Sequence, residues 1–463
     1  MSPSVQENTS NTQAEAELIT QAQDLVQRAL DAGATQAEVY ARRDASTSVT
    51  FEKGDLKLTQ IDASAALGLR VVVDHKLGFA STNQIADASL TRVAADAVAL
   101  ARMSPADEHN VLPEPGGAHA DLDLSSGGAG DLTIEEAVEV GRGLVAECVA
   151  IDPRLSLDKA DFGTGRAHLA IATSTGIQVA RSVSGANLSV FGMAIDGDDV
   201  GGFDYWGEHV RDRSAIPAAV TNTATRFGTS AVGNLGAGAA ESYKGTVLFA
   251  PDAFLDIFIG PLTSGASAIA VQRGRSALAG KVGTAIAGKG ISVLDDPSDL
   301  ELAGARPFDR EGQPARRFAL IEDGVLNGYF HNAYSAHVDG TTTTGHAAGG
   351  ARAVPGLGPH AISVAAGNAG TKSAMLQTLG KGLLVNRFSG SVDPASGDFS
   401  GVAKSARWIE NGQEVRPVQE TLISGNLFEL LKGQISLGST PEIVMGAARA
   451  PWALVDGISV TAG

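Results

Sequence analysis

Apolar residues recur at helical spacing in two segments near the start of the chain. One covers residues 14–32, where Leu18 and Leu25 lie on the same face, and the other covers residues 88–103. Between them, apolar and polar positions alternate with a period of two, as in strands that bury one face. The strands are predicted at residues 37–43, 48–53, 56–61, 65–73 and 77–82.

A second unit follows a long polar segment. Residues 104–131 are rich in Pro, Gly, Ser and Asp and predict a long loop or linker. Thr133 and Glu136 have the spacing of a capping box, which predicts a helix that ends near Ile151. Short alternating segments then predict an antiparallel meander, followed by a helix over residues 215–227.

The rest of the chain forms the largest unit and consists mostly of short alternating segments broken by glycine turns. A strand is predicted over residues 245–249, and Pro251 starts a helix. The expected fold class is α+β, with an N-terminal α+β domain, a β-meander middle region and a large, mainly antiparallel C-terminal sheet domain. The predicted division is a disordered tail at 1–13, an N-terminal domain at 14–103, a linker at 104–131, a middle domain at 132–231 and a C-terminal domain at 240–463.

Composition narrows the class of protein. The 463 residues include 35 Lys and Arg against 52 Asp and Glu, which gives a net charge of −17. That charge repels nucleic-acid phosphates and anionic membrane surfaces, so neither is an expected partner. No signal peptide or membrane-spanning run is recognisable, and the single cysteine, Cys148, excludes an internal disulfide. We therefore expect a cytoplasmic protein.

The common sequence motifs of enzymes are absent. The chain has no Gly-x-Ser-x-Gly, no phosphate-binding loop and no dinucleotide fingerprint, and no histidine is followed by glutamate. One concentration of histidines contains His331, His337 and His346. Strand residues six apart lie far from each other, so loop or core roles are favoured over a metal site. A hydrolase centred on these histidines stays open as an alternative.

Several segments of the last unit together resemble one protein family. They are residues 271–276 (VQRGRS), 294–297 (LDDP), 306–312 (RPFDREG), 320–326 (LIEDGVL), 334–336 (YSA), 397–400 (GDFS), 408–412 (WIENG) and 423–427 (ISGNL). In this order they resemble the PmbA/TldE branch of the TldD/PmbA family, known as modulators of DNA gyrase. The first helix and residues 37–40 (AEVY) look like the N-terminal domain of that family, so the resemblance covers nearly the whole chain.

The resemblance implies a two-subunit peptidase in which only the TldD-type subunit holds zinc. In that subunit a helix carries His-Glu-x-x-x-His, whose histidines bind the metal while the glutamate polarises water. The matching positions here, residues 259–264, are Ile-Gly-Pro-Leu-Thr-Ser, and Gly260-Pro261 is expected to break the helix. Residues 443–463 also lack the family's cysteine ligand. We therefore predict no catalytic residue, metal ligand or cofactor in this chain, and zinc only in a partner subunit.

Five residues remain as candidates for an interface or for peptide binding. They are Arg273, Arg275, Ser276, Asp309 and Glu311. We expect the two arginines to pair with the two carboxylates in a network that pins the large sheet. Direct contact with a peptide or a partner subunit is the alternative, because the planar guanidinium suits carboxylate groups.

The resemblance thus predicts a non-catalytic TldE/PmbA-like subunit that is inactive alone and pairs with a TldD-like zinc-bearing subunit. By the same resemblance, the pair degrades small or unfolded peptides. The alternative is a homodimeric peptide-binding or structural protein without a protease role, since a shared fold does not fix a function.

Overall fold

A computed structural model describes the backbone of residues 3–462 and the side chains of residues 11–462. The helices are α1 Pro3–Asp31, α2 Asp87–Met103, α3 Ile134–Ile151, α4 Ile216–Val232, α5 Pro251–Phe254, α6 Gly260–Gly265, α7 Ala268–Gln272, α8 Ala333–Val338, α9 Lys372–Leu379 and α10 Leu427–Leu431. A 3-10 turn, Arg213–Ala215, precedes α4, and a π-helical turn, Leu255–Ile259, joins α5 to α6.

The strands divide into a group before α4 and a group after it. The first group is β1 Gln36–Glu52, β2 Asp55–Val73, β3 Lys76–Thr82, β4 Leu155–Thr173, β5 Gln178–Asp196, β6 Asp199–Val200 and β7 Asp204–Val210. The second group is β8 Tyr243–Phe249, β9 Val293–Asp295, β10 Phe318–Glu322, β11 Val325–Leu326, β12 Ala347–Ala348, β13 Gly356–Leu357, β14 Ile362–Val364, β15 Gly382–Val385, β16 Arg387–Val392, β17 Asp398–Lys404, β18 Arg407–Glu410, β19 Gln413–Pro417, β20 Thr421–Asn426, β21 Ile435–Leu437, β22 Glu442–Val444, β23 Ala448–Ala450 and β24 Ala453–Ala462.

The first group forms one antiparallel sheet in the order β3-β2-β1-β4-β5-β6, with β7 also on β5. The separately predicted strands at 37–43 and 48–53 are one strand, β1, because no Gly or Pro interrupts the segment and both edges of β1 are paired. Strand β1 pairs with β2 on one side and with β4 on the other. Strands from the predicted N-terminal and middle domains therefore share a single sheet.

Helices cover one face of this sheet and leave the other face to the C-terminal half of the chain. Apolar residues of α1 and α2 pack on β1 and β2, while those of α3 and α4 pack on β4 and β5. The predicted capping box forms, since Thr133 accepts from the backbone of Glu136 and Glu136 accepts from the backbone of Thr133. On the opposite face, Tyr40 and Ile171 contact Phe308.

The second group of strands builds two further sheets around a shared core. One has the order β16-β17-β20-β24-β8-β15-β18-β19, with β21 on β24, and the other has the order β11-β10-β9-β14-β23-β22. Phe258 lies at the centre of this core, with ring centroids 5.9 Å from Phe249, 5.3 Å from Phe254 and 6.0 Å from Phe399. The α+β fold class with a mainly antiparallel C-terminal region is confirmed.

Two segments predicted to be loosely attached are held by contacts. The predicted disordered tail at 1–13 is helical from Pro3 onward, while its residues 1 and 2 lie outside the described residues. Asn11 donates a hydrogen bond to Ser125 at 3.1 Å, which ties α1 to the predicted linker. Within that linker, the Asp107 carboxylate accepts a hydrogen bond from Tyr334 at 2.9 Å. Across the described part of the chain, none of the helices is long and apolar enough to cross a membrane.

A buried ion network joins the first sheet to the C-terminal half. Glu38 and Arg70 are cross-strand partners on β1 and β2 and form an ion pair. Arg70 Nη1 also lies 2.9 Å from Glu311 Oε1, and Arg310 Nη1 donates to Glu38 Oε1 at 2.8 Å. Burial alone raises the pKa of Glu38, but Arg70 and Arg310 outweigh it and hold that pKa below its usual value. The four side chains balance in charge and are at most 7% exposed.

We predict that Arg70→Met destabilises the fold by about 3–5 kcal/mol, because it leaves two buried glutamates with one arginine between them. Urea denaturation of the variant measures the loss in free energy of unfolding. Arg92→Met, on the exposed surface of α2, is the matched control and is expected to stay within about 0.5 kcal/mol of the parent. Equal stabilities of the two variants would show that the network contributes nothing.

Candidate functional site

The segment that the resemblance associates with zinc is a continuous helical run with an irregular centre. Helix α5 passes through the π-helical turn into α6, and the backbone N–H of Gly260 donates to the carbonyl of Leu255, five residues earlier. Pro261 lacks an N–H and its ring crowds the carbonyl four residues before it, so the wider turn just ahead accommodates it. The expected break at Gly260-Pro261 is therefore wrong, because the helix changes its winding there instead of ending.

An open cleft of about 680 Å³ lies along this helical run. Its wall on the helix side is formed by α5, the π-helical turn and α6, and the opposite wall comes from β7, β16 and the turn between β22 and β23. The residues that line it are Tyr205, Asp252, Leu255, Asp256, Ile259, Gly260, Pro261, Thr263, Ser264, Pro359, His360, Ile362, Val392, Pro394, Val444, Met445, Ala447 and Ala448. We call this cavity the helix cleft.

Two aspartates one helical turn apart give the helix cleft its acidic character. Burial, together with the neighbouring carboxylate of Asp256, raises the pKa of Asp252 to about 7. Arg387 opposes this shift, but its Nε lies 3.1 Å from Asp204 and its guanidinium lies 4.3 Å from the ring centroid of Tyr205. Asp252 Oδ2 is buried with no hydrogen-bond partner among the described residues. The cleft therefore presents a carboxyl group that titrates near neutral pH.

A second groove, of about 540 Å³, adjoins the helix cleft and shares Tyr205, Asp252 and Val444 with it. Two tryptophans and several charged side chains line this groove. The guanidinium of Arg226 lies 4.7 Å from the ring centroid of Trp206, and Lys372 Nζ lies 4.7 Å from that of Trp452.

We call this second cavity the aromatic groove. Hydrogen bonding also fixes the indole of Trp452 in it. Its Nε1 donates to Glu442 at 2.8 Å, and Glu442 also accepts from Arg226 at 3.0 Å. Aromatic faces held in place by charged partners suit apolar side chains and the backbone of a polypeptide.

The predicted group of three histidines does not converge. His337 Nδ1 lies 2.9 Å from His109 Nδ1, and His331 Nε2 lies 3.9 Å from Asp339. His346 is fully buried, and its Nε2 lies 3.1 Å from Asp295 Oδ2. These separate pairings favour structural roles for the three imidazoles over a shared catalytic centre.

His360, which the sequence did not single out, lies in the wall of the helix cleft. Its ring stacks on that of His346 with centroids 5.0 Å apart, and its Nε2 donates to the carbonyl of Gly345 at 2.6 Å. Burial, followed by the charge of Arg306, lowers the pKa of His360 to about 3. This imidazole is therefore uncharged at neutral pH.

The five predicted site residues do not lie together. Arg273 and Arg275 are exposed beyond the end of α7, whereas Asp309 and Glu311 are buried at 2% and 0% exposure. Ser276 is partly buried, and its Oγ donates to the carbonyl of Gly265 at 2.6 Å.

The predicted pairing of Arg273 and Arg275 with the two carboxylates is wrong. Glu311 pairs with Arg70, and Asp309 accepts hydrogen bonds from three backbone N–H groups. Arg70 was missed because its partners are distant in sequence, although a charged residue inside the apolar run 67–73 is itself a sign of a buried ion pair.

The positions that the resemblance associates with zinc do not fit this ion. Residues 259–264 contribute no imidazole, thiolate or carboxylate, and residues 443–463 contain no cysteine. Met445 occupies the turn between β22 and β23 with a left-handed φ of 50°. Among residues 11–462, no group of three or more His, Cys, Asp or Glu side chains has a geometry that could hold a metal ion.

Comparison with known proteins identifies the family. Residues 242–462 match the profile of the PmbA/TldA metallopeptidase C-terminal domain, and residues 37–101 match PmbA/TldA metallopeptidase domain 1. The chain belongs to the PmbA/TldD family. The two matched regions correspond to the strand-rich C-terminal half, which supplies all the lining of the helix cleft except Tyr205, and to the first part of the antiparallel sheet.

Individual PmbA/TldD relatives agree with this assignment. The metalloprotease PmbA of Escherichia coli O157:H7 is 25% identical over 419 residues, 88% of each chain. An uncharacterized protein of Methanocaldococcus jannaschii is 32% identical over 208 residues, which are 44% of this chain and 48% of that protein. The crystal structure of TldE from Thermococcus kodakarensis has the same fold, with a TM-score of 0.83 at 21% identity over 95% of this chain and 99% of that one.

We predict that Asp252→Asn removes a pH-dependent loss of stability. The pKa of Asp252 is raised in the folded state. The contribution of its carboxyl group to the free energy of unfolding is therefore fully present below about pH 4 and is lost as the pH rises through about 7. The variant is expected to match the parent at pH 4 and to exceed it by on the order of 2 kcal/mol at pH 8. Urea denaturation across this range measures the difference, and a pH-independent difference, like that expected for the exposed Asp62→Asn, would contradict the shift.

Proposed function

We propose that this chain is a non-catalytic, TldE/PmbA-like subunit of a two-subunit zinc metallopeptidase that degrades small or unfolded peptides. The partner in this proposal is a TldD-like chain that carries the zinc ligands. The single cysteine, Cys148, is compatible with a reducing compartment, and we place the assembly in the cytoplasm.

The composition of residues 259–264 supports this proposal most directly. Activation of water by zinc needs three protein ligands that converge on the metal and a nearby base. Here those positions hold Ile259, Gly260 and Ser264, and a π-helical turn with a following proline shapes the backbone beside them. The segment thus keeps a helical wall for a cleft and lacks the ligands for hydrolysis.

The two adjoining cavities supply the peptide-binding part of the proposal. The helix cleft and the aromatic groove meet at Tyr205 and Asp252, so an extended peptide can run from one into the other. Trp206 and Trp452 provide flat apolar surfaces in the groove, while Asp252 and Asp256 favour basic side chains in the cleft. Neither cavity requires a metal ion to bind peptide.

Exposed residues near the end of α7 are the proposed contact with the partner subunit. Arg273 and Arg275 are exposed, and neither forms an ion pair within the described part of the chain. Two unpaired guanidinium groups on a chain with a net charge of −17 suit an acidic partner surface. Asp309 and Glu311 are buried and drop out of this contact.

We predict that the isolated chain cleaves no unfolded peptide and that cleavage appears when a TldD-type subunit from the same genome is added. A fluorogenic casein-derived peptide, with and without a zinc chelator, provides the measurement. The TldD-type subunit alone is the control. Chelator-sensitive cleavage by the pure chain would contradict the proposal, and a stable homodimer that ignores the partner in size-exclusion chromatography would favour the alternative of a peptide-binding protein without a protease role.

Charge reversal tests the proposed contact surface. The double variant Arg273→Glu/Arg275→Glu is expected to weaken association with the TldD-type subunit by about tenfold or more, because like charges then face each other. Its thermal unfolding should match that of the parent, since both side chains are exposed. Arg92→Glu on α2 is the control for net charge. Unchanged affinity of the double variant would exclude this surface.

A further inference from the structure

An open cleft of about 450 Å³ lies on the face of the first sheet that the helices leave uncovered. Its floor contains Gly163 and Gly165 of β4 and Gly185 of β5, and Gly165 and Gly185 are cross-strand partners. The surface is open above Gly163, whereas the ring of His209 lies close to Gly185 and the backbone of Ala45 lies close to Gly165. The loop at residues 303–306 forms one wall of the cavity.

Arginines from three parts of the chain surround this recess. Arg42, Arg166, Arg181 and Arg211 come from the first sheet and its last turn, and Arg306 comes from the C-terminal half. Arg166 pairs with Asp131 at 2.5 Å. Arg42 already pairs with Asp44, at 2.6 Å. We call this cavity the arginine cleft.

Arg181 has donor groups that no protein atom satisfies. Its Nε and Nη1 are buried and have no hydrogen-bond partner among the described residues. Its guanidinium lies 5.2 Å from the ring centroid of Phe308, which holds it in place. The desolvated position, together with the charge of Arg306, lowers the pKa of Arg181 to about 10.

The two neighbouring arginines, Arg211 and Arg306, also lack a carboxylate partner in the described part of the chain. Arg211 donates to the backbone carbonyls of Leu300 and Ala303, at 2.7 Å and 3.1 Å, and Arg306 Nε donates to that of Gly304 at 2.9 Å. Within residues 11–462, none of these three guanidinium groups lies within 4.0 Å of a carboxylate.

Guanidinium groups without a counter-charge are energetically unfavourable in this position unless an anion binds beside them. Buried charges in proteins are normally paired, because removing them from water carries a penalty that only a counter-charge and hydrogen bonds offset. Here, three cationic side chains converge on one recess in a chain whose net charge is −17.

We propose that the arginine cleft binds the oxyanion of a small ligand, a carboxylate or a phosphate, through the free donors of Arg181. The planar fork of a guanidinium matches two oxygens of either group. The open surface above Gly163 leaves room for the rest of the ligand. This site is distinct from the helix cleft, and it does not depend on the proposed peptidase role.

Isothermal titration calorimetry of the full chain at low ionic strength tests the proposal. The probes are inorganic phosphate, N-acetyl-dialanine with a free carboxylate, and the amide of the same dipeptide. Binding of phosphate alone identifies a phosphate ligand, whereas binding of the acid but not the amide identifies a carboxylate. The Arg181→Gln variant loses the two free donors of Arg181, and its affinity for the probe that binds is expected to fall by about tenfold or more.

Arg181→Met, whose apolar stem packs on Phe308, is the second variant, and Arg92→Gln is the matched control that keeps parental affinity. Without added anion, both Arg181 variants should unfold at the same temperature as the parent or higher, because they remove an uncompensated charge. Phosphate or the peptide acid should raise the unfolding temperature of the parent more than that of either variant. The proposal would be overturned if neither phosphate nor the peptide acid bound the parent, or if the Arg181 variants bound the probe as tightly as the parent does. A lower unfolding temperature of these variants without anion would also overturn it.

Discussion

The structure depends on one buried network of ion pairs between its two halves. Glu38 and Arg70, opposite each other on neighbouring strands, meet Arg310 and Glu311 from the C-terminal half. Each charge in this network needs the others, since a carboxylate or guanidinium without a partner is strongly unfavourable in such a position. The network therefore fixes where the loop that carries Arg310 lies against the sheet. The same loop carries Arg306 and Phe308, so the network also sets the wall of the arginine cleft.

The three cavities of this fold differ in charge and in the ligands that suit them. The helix cleft and the aromatic groove have acidic and aromatic walls that suit a peptide, and residues 259–264 supply none of the ligands by which zinc activates water. The arginine cleft has the opposite charge and lies on the face of the first sheet that the helices leave uncovered. This PmbA/TldD fold thus combines the cavities with a 259–264 segment that has none of the zinc ligands expected from the family resemblance, as the proposed pairing with a zinc-bearing partner requires.

Sequence patterns predicted local structure better than long-range pairing. The capping box at Thr133 and Glu136 depends on residues three apart, and it forms as predicted. Arg310 and Glu38 are 272 residues apart, so only the fold brings them together, and the carboxylates at 309 and 311 were assigned to the wrong arginines. The π-helical turn was missed because a Gly-Pro pair signals a break, and sequence periodicity does not reveal that one wider turn can accommodate the proline ring. Unpaired donors, such as those of Arg181, become visible only when burial is known.

The location of zinc in the assembled pair decides which of the two subunits can activate water. Crystals of this chain with a TldD-type subunit, measured on both sides of the zinc absorption edge, show which polypeptide holds the metal. We expect one anomalous peak per pair, at the His-Glu-x-x-x-His helix of the partner. An anomalous peak of comparable height beside residues 259–264 of this chain would contradict it.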